Sequence, residues 1–124
     1  MIDNITIQHV SFIVADTERA LAFYFDVLGL ETDPPRPGLG YSGDWSQLNA
    51  GQQIHLLELP NPDPVSGRPE HGGRDRHTAF HVTDLPYIEA ALIKAGLAFT
   101  RSKSGRKALF CRDPDGNALE FIEI

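Results

Sequence analysis

Four side chains in this 124-residue chain, His9, His55, His77 and Glu120, have the types needed to hold a divalent ion. Three imidazoles and one carboxylate make a mixed nitrogen and oxygen set, which suits Zn, Ni, Co, Fe or Mn; calcium and magnesium prefer oxygen alone. His81 shares a strand face with His77, but four residues at 3.3 Å each put them about 13 Å apart, so both cannot bind one ion. His81 is left as an acid or base lining the pocket. Glu58 is the rival to His55 if the register of its strand differs by one, although parity places Glu58 on the opposite face.

The remaining reactive side chains have plainer explanations. His71 falls in the Gly67 to Gly73 stretch, where a mobile, solvated histidine is expected. Cys111 shares a strand face with Leu109, the pattern of a buried, inert thiol. Tyr41 and Trp45 read as core or pocket wall.

An internal repeat is what nominates the four ligands. HTAFHVTD from His77 lies under HVSFIVAD from His9, with His, Phe, Val and Asp in the same places. Each segment alternates as a strand does and ends in an aspartate suited to capping a helix. After Asp16, Leu21, Phe25 and Leu28 recur at helical spacing before Gly29; after Asp84, Leu85, Ile88, Leu92 and Ala95 do so before Gly96. A third anchor aligns GQQIHLLE from Gly51 with GNALEFIE from Gly116, which sets His55 on Glu120.

Between helix and last strand each copy has room for two short strands, around Gly40 to Leu48 and around Leu97 to Cys111. The expected architecture is α+β: tandem βαβββ modules over residues 5–59 and 77–124, forming one domain over residues 1–124. The Pro- and Gly-rich stretch 60–76 reads as an exposed linker, long enough to act as a lid. The turn at Asp113-Pro114-Asp115-Gly116-Asn117 sets the register of the last strand. Register matters because a slip of one residue would turn Glu120 to the other face. Two modules related by a pseudo-twofold would place one ligand from each first strand and one from each last strand around a shared centre.

Composition narrows the function further. With 41% hydrophobic and 23% charged residues the chain is an ordinary globular one. Its net charge of −6 opposes a phosphate backbone, so nucleic acid is not an expected partner. Arg101, Lys103, Arg106, Lys107 and Arg112 form a local basic cluster, which reads as a solvated edge or a seat for a small anion. The longest apolar stretch is too short to span a bilayer, and one cysteine with no signal-like N-terminus leads us to expect a cytoplasmic protein.

These residues together form a known pattern: His9-Val10-Ser11-Phe12 with Asp16, Ala22 through Leu30, His77-Thr78-Ala79-Phe80, and Arg112 through Asn117 leading to Glu120. The chain resembles the vicinal oxygen chelate superfamily, which includes glyoxalase I, fosfomycin thiol transferases, extradiol dioxygenases, methylmalonyl-CoA epimerase and bleomycin-binding proteins. The resemblance implies curved mixed sheets forming half-barrels, a metal in the cup, and a homodimer in which modules from different chains complete each site. It matches His9 and His77 to the first-strand ligands and Glu120 to the last-strand carboxylate. His55 stands where glyoxalase I has a second glutamate, which removes one candidate base. The implied activity is a metal-dependent lyase or isomerase of glyoxalase type on a small substrate with adjacent oxygens, with Glu120 moving a proton. The alternatives are an iron-dependent ring-cleaving dioxygenase, a fosfomycin-type thiol transferase and a drug-binding protein.

Overall fold

The computed structural model describes residues 2–32 and 36–124. The first repeat runs β1 (His9–Val14), α1 (Thr17–Leu21), a π-helical segment over Ala22–Val27, β2 (Glu31–Thr32), β3 (Gly43–Gln47) and β4 (Gln53–Glu58). The second runs β5 (His77–Val82), α2 (Leu85–Lys94), β6 (Phe99–Arg101), β7 (Ala108–Arg112) and β8 (Ala118–Glu123). Each repeat folds into a four-stranded mixed sheet, ordered β1-β4-β3-β2 and β5-β8-β7-β6. In each, the first strand pairs parallel with the last and the other pairings are antiparallel. The architecture is α+β, two βαβββ units.

Both helices start the same way. Asp16 accepts a hydrogen bond from the Arg19 N–H and Asp84 from the Tyr87 N–H, each satisfying a first-turn donor that has no partner within its helix. The last strand of each repeat adds a second acceptor. Glu58 Oε1 takes the Thr17 N–H at 2.8 Å and Glu123 Oε1 takes the Leu85 N–H at 3.2 Å. Glu58 therefore faces the helix, on the side of its sheet away from His55.

In the first sheet, Val10, Phe12, Val14, Ile54 and Leu56 turn towards the helices. In both repeats the equivalent residues join one continuous core with Phe23, Tyr24, Leu85, Ile88, Leu92, Leu119 and Phe121. Burying a side chain such as Leu92 contributes about 2 kcal/mol. The opposite, open face carries the polar residues, because side chains alternate along a strand. Ser11 pairs with His55 and Trp45 with His55, so His9, Ser11, Trp45, Gln53 and His55 share the open face of the first sheet. Ala79 and Phe110 both pair with Glu120, which puts His77, Ala79, Phe110 and Glu120 on the open face of the second.

Three expectations need correction. Phe25 is half-exposed, while Phe23 and Tyr24 are buried in its place. The cause is the π-helical segment, where the Leu28 N–H reaches back five residues to the Phe23 carbonyl; the wider turn rotates the apolar stripe. The short second strand of the first repeat lies at Glu31–Thr32, directly after the helix, and pairs with Gln47 and Ser46; only β3 falls between Gly40 and Leu48.

The third concerns the 60–76 stretch, whose second half is docked and not free. Asp75 takes hydrogen bonds from Arg68 and Arg112, each at 2.8 Å, and Arg112 also donates to the Pro69 and Gly116 carbonyls. Gly72 packs on Ala118 and Phe110. The stretch thus crosses the open face of the second sheet.

The turn before β8 also joins the two repeats. Buried Asp113 accepts from the Tyr24 hydroxyl at 2.7 Å and from the Asp115 and Asn117 backbone N–H groups. Asp115 accepts from the Ala15 N–H and from Arg19, and the Asn117 side chain donates to the Ile13 carbonyl. Gly116 at φ +84° supplies the left-handed residue that this turn requires.

Candidate metal centre

The two repeats place their candidate ligands at equivalent positions, and the result is two pairs. On the second sheet, His77 Nε2 lies 3.3 Å from Glu120 Oε1. Two donors each about 2.0–2.1 Å from one ion at a near-tetrahedral angle sit about 3.3 Å apart. The other ring nitrogen, Nδ1, is 2.9 Å from the Asp75 carbonyl. A carbonyl only accepts, so Nδ1 carries a proton there and Nε2 is the ring atom turned to the carboxylate. Two acceptors facing one another need a proton or a cation between them, and the fixed outer nitrogen is the usual support of a metal-binding histidine. This pair fits a divalent transition ion.

On the first sheet, His55 is buried between two rings. It stacks on Trp45 at 4.2 Å with 7° between planes, and on His9 at 3.9 Å with 12°. Its Nε2 bonds Gln53 Oε1 at 2.8 Å, and His9 Nδ1 bonds Gln8. Burial lowers the His55 pKa, helped by the charges of His9 and Arg36, which keeps its ring neutral near pH 7, the form a metal takes. Lone pairs lie in the ring planes, so the near-parallel stack does not aim both at one point. His9, the exposed outer ring, is the one that can turn.

Among the described residues no three histidine, cysteine, aspartate or glutamate side chains gather closely enough to hold an ion. One chain therefore brings His9 to His55 and His77 to Glu120 without joining the pairs. His81 lies elsewhere: it lines a groove with Leu30, Gln47, Asn49 and Ile88, whereas His77 lines a cleft with Ser11, Asn61, Arg68 and Arg76.

Two residues emerge that the sequence undervalued. His71 is not a solvated linker histidine: its Nδ1 bonds the Thr100 hydroxyl at 2.6 Å and its ring meets Phe110 edge-on at 4.8 Å. Phe110 in turn meets His77 at 5.2 Å. Arg106 reaches Glu120 Oε2 at 3.2 Å, so the two oxygens of this buried carboxylate face a histidine and an arginine. The basic cluster is otherwise dispersed, with Arg101 on Glu89, Lys107 near Glu123 and Arg112 on Asp75. Nothing in the sequence marked either residue, since His71 lies outside both repeats and Arg106 is one of five cations in a run. Cys111 is buried and its thiol is pushed up to about 12 by burial and then by Asp113, so it is no nucleophile. Among the described residues no helix is long and apolar enough to cross a membrane.

Comparison with known proteins identifies the family to which this fold belongs. The Haemophilus influenzae lactoylglutathione lyase is 32% identical over 124 residues, covering 94% of this chain and 91% of that protein. The uncharacterised Bacillus subtilis protein YwkD is 34% identical over 125 residues, covering 95% and 96%. A domain from Frankia sp. EAN1pec, described as glyoxylase/bleomycin resistance protein/dioxygenase, superposes with a TM-score of 0.75 at 27% identity, covering 98% of this chain and 93% of that one. With the superfamily profile matching residues 6–121, from before β1 into β8, the chain belongs to the Glyoxalase/Bleomycin resistance protein/Dioxygenase superfamily.

Proposed function

We propose that the protein is a metal-dependent lyase or isomerase of glyoxalase type, with a divalent transition ion held by His9, His55, His77 and Glu120. The observation that carries this reading is the His77–Glu120 pair, spaced as two ligands of one ion with the outer nitrogen of His77 already committed to a carbonyl. Because one chain leaves the ligands as two pairs, the reading requires a homodimer in which the first repeat of one copy faces the second repeat of the other.

When bound, the ion would act as a Lewis acid on two adjacent substrate oxygens and make the neighbouring C–H more acidic. Glu120 would take that proton and return it to the adjacent carbon, an isomerisation without change in oxidation level. Its Oε2 is the oxygen to do so, since its partner Arg106 is the exposed member of that bond and Oε1 faces His77. His81 has a lesser part: it shares the strand face of His77 but lines another groove, so only a substrate reaching along β5 would meet it. The relative named lactoylglutathione lyase makes a thiol–aldehyde adduct the first substrate to try.

The test is elemental analysis of the purified protein and its size in solution, followed by turnover of thiol–aldehyde adducts after loading with each candidate ion. Stoichiometric metal in a dimer with turnover supports the reading. A monomer that takes up no metal on reconstitution refutes it and favours a metal-free binding protein, the second reading. That alternative draws on the separation of the two ligand pairs within one chain.

A further inference from the structure

We propose that Arg106 sets the specificity of this site by receiving a carboxylate carried by the substrate, exchanging Glu120 for it. The inference rests on the reading of His77 and Glu120 as the reaction centre. It starts from how differently the two partners of this ion pair are held: the Glu120 side chain is 2% exposed, whereas that of Arg106 is 56% exposed. Arg106 is thus a surface side chain reaching inward from the loop between β6 and β7, and it can let go without unfolding anything.

The loop is built to aim it. Ser102 and Ser104 bond one another, Gly105 turns the chain at φ +86°, and Ser104 Oγ accepts from Arg106 Nε at 3.1 Å. That leaves Nη2 on Glu120 and the rest of the guanidinium towards solvent. Among the cations between residues 101 and 112, Arg101 and Lys107 face Glu89 and Glu123, and Arg112 is committed to Asp75 and two backbone carbonyls, while Arg106 meets the carboxylate that also faces His77. Any ligand lying over His77 and Glu120 is therefore within reach of this guanidinium.

The chemistry of the ligand follows from charge. A chain of net charge −6 repels anions, and a carboxylate brought beside Glu120 meets a second like charge. A planar guanidinium with donors to spare offsets both, and its fork matches a carboxylate in a two-bond geometry that an uncharged amide cannot replace. If Arg106 served only to neutralise a buried acid, it would not care what the ligand carries.

The experiment uses two probes of the same shape, lactate and lactamide, titrated into the full chain as purified and again after chelator treatment, with binding read by isothermal titration calorimetry. Lactate is expected to bind about ten-fold or more tightly than lactamide, the usual worth of hydrogen bonds to a charged group. Arg106→Gln should abolish that preference and Arg106→Lys should keep part of it, with circular dichroism confirming that both fold. In turnover of a carboxylate-bearing adduct, Arg106→Gln should raise KM with little change in kcat. An unchanged lactate-to-lactamide ratio in Arg106→Gln overturns the proposal, even if metal and turnover persist. Inorganic phosphate competing as well as lactate overturns the choice of carboxylate. Absence of metal and turnover with the preference intact would fell only the metal-centre reading.

Discussion

Asp75 offers a quantitative test of how the strap between the repeats is held. Its Oδ2 lies 2.8 Å from both Arg68 Nε and Arg112 Nη1, and the three side chains are 11%, 12% and 23% exposed for Arg68, Asp75 and Arg112. Asp75→Asn keeps the shape but leaves two poorly hydrated guanidinium groups without their anion. Truncating one partner of such a buried pair costs about 3 kcal/mol. For a chain of this length that is a loss of roughly 10 °C in Tm.

The pH dependence gives an independent check. The carboxyl is held well below the ordinary range, first by the Arg68 hydrogen bond and also by that from Arg112. A group whose folded pKa is depressed contributes stability that is complete above its unfolded pKa, about 3.9 for aspartate, and is lost as pH falls through the folded value. The gap between wild type and Asp75→Asn should therefore be constant from neutral pH to about 5 and close steadily below 4. Thermal unfolding followed by circular dichroism across that range measures it. A gap under about 1 kcal/mol at pH 7, or one of equal size at pH 7 and pH 3, would refute the assignment of Asp75 as the anchor.

Glu120→Gln should strip the metal from purified protein and lower turnover by about a hundred-fold or more, read by elemental analysis and an adduct assay. Glu58→Ala and Glu123→Ala should each cost about 1 kcal/mol through lost helix-start bonds and leave metal content unchanged; loss of metal in Glu58→Ala would show that the β4 register is wrong. His55, with its pKa lowered chiefly by burial, should make chelator-treated protein less stable as pH drops below about 6.5, because the unfolded imidazole takes a proton that the folded ring refuses. His55→Phe should remove that slope in a denaturant titration series.

What the sequence disclosed was whatever the duplication states twice. The match of His9 with His77, and of His55 with Glu120, fixed strand faces without any coordinates, and the aspartates before each helix marked both helix starts. Parity alone sets Glu58 on the face opposite His55, and the structure shows that this face meets the helix, where Glu58 accepts from Thr17.

Features that exist in one repeat only were illegible. The π-helical turn that exposes Phe25 has no counterpart in α2, and its wider spacing mimics an α-helical stripe until the hydrogen bonds are seen. The contacts of His71, and the clamp of Arg68 and Arg112 on Asp75, depend on a strap whose composition resembles that of any solvated connection. Arg106 looked like one of five equivalent cations, because nothing local says which member of a charge run turns inward.

The turn at Asp113 to Asn117 has a consequence for how the polypeptide comes off the ribosome. Its contacts to Ala15, Arg19 and Ile13 join residues about a hundred positions apart, so the end of β1, paired early with β4 through Val14 and Glu58, gains its remaining partners only once that turn has been made. The earlier half should wait in a loosened form during synthesis, protease-sensitive and with its apolar surface showing, and become resistant in one late step when that turn arrives.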